Sequence, residues 1–412
     1  MVDRSHVPPV EILRARKRMN DAVRSWFDAR GFLEVETPIA VVSPGLEPHL
    51  FAFETTEVGP DDATQQLFLH TSPEYAMKRM LGRGVGSIYQ LARVFRNGER
   101  SATHAPEFTM LEWYREGEAF AALMDDVEGL FGAVAEAVGA WRPRRVERVS
   151  VSEAFVRAGL VDPVGLLEAS AERPGPGPGP GPGPGPGPDS AGDEIEGKGK
   201  FKFKGKGEAS RGARGGAASL PSSDSGPGPG PAPGPGLGPV PGPGDSPASA
   251  ALRIPDADDT AALREALGVR LVLGDDWDDV FFRAFLDHVE PTFADDTVTI
   301  LYGYPAHMAA LARVDPKDPR VAERFEVFVG RTELGNAFGE LTDPVEQRAR
   351  FELDLAHRRR LGRPAYPIDE GLLEDLGNIE AAAGIAVGLD RLLMCCLQLE
   401  TIQQTLVLSP LP

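Results

Sequence analysis

From Glu172 to Ala250, proline and glycine alternate on either side of a lysine-rich patch, and this block decides which parts of the chain can build a core. Proline removes backbone donors, glycine adds conformational entropy, and few large apolar side chains are present to offset the cost of ordering. The block is expected to be disordered. The core must then come from residues 1–171 and 251–412, the first and second parts of one domain with the 172–250 insert between them. AGLVDP before the insert and TAALREALG after it read as consecutive pieces of one helical subdomain, which makes the insert a loop excursion. Loop closure grows only logarithmically with length, so an excursion of about 80 residues is tolerated where its ends meet. Inside it, Gly197–Gly207 alternates lysine with glycine or phenylalanine and reads as a solvated run.

The stretch from Val94 to Arg115 carries the most chemistry. Side chains alternate faces along a strand, so Phe108, Met110, Glu112 and Tyr114 share one face, and Gln90, Ala92, Val94 and Arg96 share a face of the strand before it. A polar loop from Asn97 to Pro106 joins the two as an antiparallel pair. Arginine offers a planar fork of donors that suits phosphate, and a ring such as Phe108 can stack on a purine. Glu112 and Tyr114 further along suit a cationic group. The pattern predicts a surface that holds a nucleotide at one end and an amine at the other; an amphipathic hairpin with solvated charges is the plain alternative.

Two other segments repeat the theme. Arg324–Pro344 reads as a hairpin turning at Gly330, with Asn336, Phe338 and Glu340 on one face of its second strand. Near the C-terminus, Gly384 and Gly388 lie on a small-residue strand running into a helix near Asp390, with Arg391 in its first turn. Glycines there let a ligand approach the backbone.

Together these segments resemble the catalytic domain of class II lysyl-tRNA synthetases, and most closely their paralogues that modify a lysine of elongation factor P. Arg30–Pro38 resembles the family's first motif, Val94–Arg115 the second and Gly384–Arg391 the third, while Thr71–Leu81 and Glu333–Asp343 resemble lysine-type signatures. The resemblance implies an α+β fold with a mixed, mainly antiparallel sheet flanked by helices, dimeric through the first-motif region. It implies that Arg96 and Arg391 hold the ATP phosphates as the catalytic pair, that Phe108 and Arg391 sandwich the adenine, and that His104 touches the triphosphate. Asn97, Glu99, Glu333, Leu334 and Gly388 complete the implied ATP set. Ser72, Pro73, Glu74, Glu112, Tyr114, Asn336, Phe338, Glu340 and Ala386 form the implied amino-acid pocket, with Glu112 and Glu340 towards the side-chain ammonium. Glu326 and Glu333 would carry Mg²⁺. The implied reaction is formation of a lysyl-type adenylate and transfer to elongation factor P, with Ala386, where synthetases carry glycine, favouring (R)-β-lysine over α-lysine.

Plainer roles exist for several of these residues. Glu340 reads equally as a solvated strand-end acid before the helix cap Asp343–Pro344–Glu346, and Glu326 as a partner of Arg324. His104 alone is a surface loop histidine, and Phe108 and Phe338 singly are core residues. The second motif also departs from the family at Gly98, Thr103 and Ala105. Ala105 stands where asparagine contacts ATP, which implies a weaker ATP contact costing about 1–3 kcal/mol.

The acceptor follows from charge and the N-terminal region. The first-motif helix, with Ile12, Met19, Val23, Trp26 and Phe27 at helical spacing and Gly31 as terminator, begins about ten residues from the N-terminus, so no anticodon-binding barrel is expected before it. With 43 basic against 62 acidic residues and a net charge of −19, the chain is not expected to bind tRNA. A truncated synthetase that charges tRNA and a non-catalytic regulator that binds an amino acid or its adenylate are the rival readings. Cys395 and Cys396 lack zinc-site spacing and are expected in the core of a cytoplasmic protein, and no signal peptide or membrane span is visible.

Overall fold

The computed structural model describes residues 7–408 except 118–119, 140, 142, 172–253, 271 and 273. The insert 172–250, with its lysine-rich patch, therefore lies outside the described residues.

Eleven strands run in chain order: β1 (Leu33–Glu34), β2 (Ala40–Val41), β3 (Phe53–Val58), β4 (Thr64–Leu69), β5 (Ile88–Phe95), β6 (Glu107–Glu116), β7 (Arg145–Ser150), β8 (Thr297–Tyr302), β9 (Arg324–Val329), β10 (Thr332–Gly339) and β11 (Ala382–Gly388). The helices are α1 (Pro9–Asp28), α2 (Glu74–Gly82), α3 (Ala121–Val138), α4 (Val151–Arg157), α5 (Pro163–Ala171), α6 (Ala257–Leu267), α7 (Trp277–Ala284), α8 (Pro344–Arg360), α9 (Glu370–Leu376) and α10 (Leu389–Leu397). Eight strands form one sheet in the order β1-β5-β6-β11-β10-β9-β8-β7, antiparallel except at its two edge pairs, β1 with β5 and β7 with β8. This is the mixed, mainly antiparallel sheet the sequence predicts. β2, β4 and β3 form a separate small sheet.

Period-two alternation divides the central strands between two environments. Tyr89, Leu111, Trp113, Ile385, Val387, Ala337, Phe325 and Val327 point back into one apolar cluster with α1, α3 and α10. Phe27 stacks on Tyr89 at 4.4 Å between centroids and meets Trp113 edge-on at 5.4 Å. Ile12, Met19, Val23, Trp26 and Phe27 are all buried, and Gly31 adopts φ +76° just past the helix end, as the spacing predicts.

The intervening residues face front. At one end of that face α2, α8 and α9 pack around Ile88 and Tyr114, and at the other α4, α6 and α7 cover Leu301 and Phe328. Leu166 and Leu167 of α5 pack on the same apolar cluster as Leu263 and Leu267 of α6, so the helices flanking the insert meet in one subdomain. A cleft is left open between the two covered ends.

Candidate active site

Strand register builds the floor of the cleft. Gln90, Glu112, Ala386, Asn336 and Glu326 form one row across β5, β6, β11, β10 and β9. Ile88, Tyr114, Gly384, Phe338 and Arg324 form the next. The faces read from the sequence for Gln90–Arg96, for Phe108–Tyr114 and for Asn336–Glu340 are therefore joined into one surface.

Gly384 sits centrally in the second row. A methyl at this position would collide with the Tyr114 ring and Glu340 Oε1, so glycine is what lets those two groups lie directly against the backbone of β11. Glu112 is wholly buried beside them. Burial, with the charge of Glu74 adding to it, pushes its carboxyl up to about 8, although Ser72 Oγ and Tyr114 Oη both donate to it, Tyr114 at 3.1 Å. Burial likewise raises Glu340 to about 7. Ser72 Oγ also accepts from the Glu74 amide at 3.0 Å, with Pro73 between them opening α2. Ser72, Pro73, Glu74, Glu112, Tyr114, Phe338 and Glu340 thus gather at one end of the cleft.

The other end is a cleft of about 550 Å³ lined by Arg96, Glu99, His104, Phe108, Glu333, Leu334, Asn336, Ala386, Gly388 and Arg391 among others. The Arg96 guanidinium lies 5.4 Å from the Phe108 ring centroid and 3.9 Å from Glu99. Arg391 donates to the carbonyls of Thr103 (3.0 Å) and Glu333 (2.8 Å). His104 Nδ1 meets Ser101 Oγ at 2.7 Å, and burial with nearby Arg391 lowers its basicity. Asn97 is exposed, its amide tied to the Phe51 carbonyl at 2.7 Å, and it does not line this cleft. Leu334 is buried in the rear core and stands in the cleft wall by its backbone rather than as a side-chain ligand.

Glu333 reaches the front through an irregularity. Strict alternation would put it with Gly335 and Ala337, facing the rear. The pairing of β10 with β9 shifts between Glu333 and Gly335, a bulge that sends Leu334 into the core and turns Glu333 forward. There burial and the facing charge of Glu326 raise its carboxyl, although the residue as a whole keeps an exposed edge at the cleft mouth. Glu326 accepts from Arg324 at 2.6 Å and from Tyr304 at 2.6 Å, so its plain role as an arginine partner is real. A carboxylate offers about four lone-pair positions, and these bonds leave capacity on both oxygens. Glu333 in the lining of a cleft with arginines, with the buried Glu326 carboxylate facing it from behind, fits Mg²⁺, which takes carboxylate and phosphate oxygens.

Three residues to which the sequence assigns no role in the site are part of the construction. Lys78, buried in α2, puts Nζ 2.6 Å from Glu74 and 2.6 Å from Glu340. Gln90 is 6% exposed and its carbonyl oxygen has no partner among the described residues. Asp390 accepts from the Thr109 amide at 2.7 Å and from Arg16 of α1, joining three elements behind Phe108. The spacing of Glu74 and Lys78 was the one available signal, since i,i+4 pairs meet on a helix. Among the described residues no helix is long and apolar enough to cross a membrane, and Cys395 and Cys396 are, respectively, half-buried and buried in α10.

Comparison with known proteins agrees with this geometry. The model of the family tRNA synthetases class II (D, K and N) matches residues 5–410. Curated relatives named elongation factor P–(R)-beta-lysine ligase are 32% identical in Klebsiella pneumoniae and 33% in Edwardsiella ictaluri, each over 97% of this chain and 95% of the relative. A relative of the same name in Pectobacterium atrosepticum is 34% identical over 94% of this chain and 91% of its own length.

Proposed function

The chain belongs to the class II tRNA synthetases (D, K and N), and we propose that it activates a lysine-type amino acid, (R)-β-lysine first, and transfers it to a lysine of elongation factor P. It is an ATP-dependent amino-acid ligase. The observation that carries the substrate is the cluster of Glu74, Glu112 and Glu340 about Lys78 and Tyr114, with Glu112 paired across the strands to Ala386 in the wall of the arginine-lined cleft. Buried carboxylates need cationic partners, and a diamino acid supplies them.

In this reading Arg96 and Arg391 hold the phosphates, and Phe108 and Arg391 take the adenine between them. His104 lies along the triphosphate with Glu99 near the base. Glu326 and Glu333 hold Mg²⁺, which when bound neutralises phosphate charge. Asn336 and Glu74 orient the amino acid so that its carboxylate oxygen attacks the α-phosphorus in line and pyrophosphate leaves. The neutral amine of the acceptor lysine then attacks the adenylate carbonyl; an amide bond forms, AMP leaves, and a proton passes to its phosphate. The acidic chain, at net −19, disfavours tRNA as acceptor. Two copies associating through the first-motif region belong to the same reading.

Ala386 stands between Glu112 and Asn336 on the floor, where its methyl narrows the place of an α-amino group. Labelled pyrophosphate exchange with ATP and each lysine isomer tests the proposal, followed by mass measurement of elongation factor P. Exchange with β-lysine exceeding that with α-lysine, then a mass gain on the factor, is expected. Failure of exchange with either isomer, or label on tRNA with the factor unmodified, overturns it. Ala386→Gly should raise α-lysine use by about tenfold, the worth of one methyl in a pocket.

A further inference from the structure

We infer that Lys78 is a positioning residue that sets the charge of the amino-acid pocket, cancelling one of three carboxylates so that the remaining two match the two ammonium groups of a diamino acid. The inference rests on the lysine-type substrate proposed above. Lys78 is only 2% exposed, and its Nζ lies 2.6 Å from Glu74 Oε1 and 2.6 Å from Glu340 Oε2. The third carboxylate of the cluster, Glu112, is held instead by Ser72 and Tyr114. Glu47 faces the cluster from the loop before β3, Arg313 faces Glu340, and Arg96 faces Glu47. The carboxylates nearest Lys78 raise its basicity against the opposing effect of burial, so it stays charged.

With Glu74, Glu112 and Glu340 ionised and Lys78 charged, these four groups carry two net negative charges, while burial and the charge of Glu74 favour the neutral form of Glu47 beside them. A lysine isomer brings two ammonium groups, and its own carboxylate goes to Arg96. A buried charge left without a partner costs far more than a matched pair, so the count matters more than any single contact. Without Lys78, Glu74 and Glu340 would face each other with one charge too many. The arrangement also restrains Glu340: Lys78 fixes one oxygen, and Oε1, which has no hydrogen-bond partner among the described residues, lies against Gly384 beside the Tyr114 ring.

The test is a double-mutant cycle on the full chain, read by calorimetric binding of lysine and of ATP separately. Lys78→Met and Glu340→Gln are each expected to weaken lysine binding by about tenfold or more while ATP affinity stays within about twofold. Lys78→Met/Glu340→Gln restores the net count of two, so its loss should not exceed that of the worse single variant. Wild-type binding of lysine but not of norleucine, which lacks the second ammonium, is part of the expectation. Multiplying losses in the double variant, a parallel fall in ATP affinity, or unchanged lysine binding in Lys78→Met would each overturn the inference while leaving the lysine-type substrate standing. A wild-type chain that binds ATP but neither lysine isomer would overturn the substrate reading and this inference together.

Discussion

Arg391 Nε donates to the carbonyl oxygen of Thr103 across 3.0 Å, so the helix after the third motif grips the loop of the second motif without any ligand between them. The same loop is held by the Ile402 amide on the Ala102 carbonyl at 2.7 Å and by Gln403 Nε2 on the Ser101 carbonyl at 3.0 Å. The end of the cleft proposed for the nucleotide is therefore assembled in advance, which would spare ordering cost on ATP binding.

Replacing Arg391 with lysine keeps the charge but loses the planar fork that spans Thr103 and Glu333. Pyrophosphate exchange should fall by about 10²–10³, as on removing one preorganised donor, and the KM for ATP should rise. Exchange within tenfold of wild type would contradict that role.

Ala105 gives an unexpected answer to its departure from the family pattern. It lines the cleft beside Thr103 and His104, yet it is only 6% exposed and packs with Met394 and Ile402, an apolar seat for the loop. Ala105→Asn should therefore bury an amide at a cost of about 1–3 kcal/mol and lower Tm, with no gain in ATP affinity. Steady-state KM for ATP and a thermal melt decide it; a lower KM would mean that asparagine reaches the nucleotide.

Glu112 predicts a pH dependence. Its carboxyl is raised from 4.5 to about 8, so the folded chain holds the proton more tightly than the unfolded one. Its contribution to stability is full below about 4.5 and is lost as pH rises through 8. An arriving ammonium favours the ionised form, so the amino-acid KM should fall between pH 6 and 8 and then level. Glu112→Gln should remove the part of that slope nearest pH 8 and leave the part from Glu340, raised to about 7; an unchanged slope in the variant would assign it wholly to another group.

Gly384→Ala places a methyl against the Tyr114 ring and Glu340 Oε1. Overpacking of this kind costs about 1–3 kcal/mol, and it displaces the Tyr114 ring and the Glu340 carboxylate proposed to hold the substrate. Amino-acid binding should be lost while ATP affinity holds within about twofold. Retained lysine binding would move the pocket elsewhere.

Much of this site is legible in the strands because alternation is a local property. Gln90 to Arg96 and Phe108 to Tyr114 could be assigned to faces from the sequence, and the register then aligned them. Glu333 could not be placed by alternation, because the bulge beside it reverses its face and nothing in TELGN announces an unpaired residue. Lys78 was hidden differently. In YAMKRML it reads as an ordinary solvated cation, and only the return of the chain some 260 residues later brings Glu340 to it. Asp390 is similar: beside Arg391 it looks like a first-turn acid, yet its partners are Thr109 and Arg16 from other elements. Glu346 shows the limit of cap signatures, since Asp343 caps the Val345 and Glu346 amides as expected while the Glu346 carboxylate turns to Arg350 at 2.6 Å.

The division of β5, β6, β10 and β11 into a rear face packed on α1, α3 and α10 and a front face lining the cleft separates two kinds of heritable change. A library confined to Gln90, Glu112, Ala386 and Asn336 rewrites four of the five positions of one cross-strand row without altering one side chain of the rear cluster that holds α1, α3 and α10. Substrate range and foldability can thus be varied on nearly independent alphabets, interleaved letter by letter in the same strands.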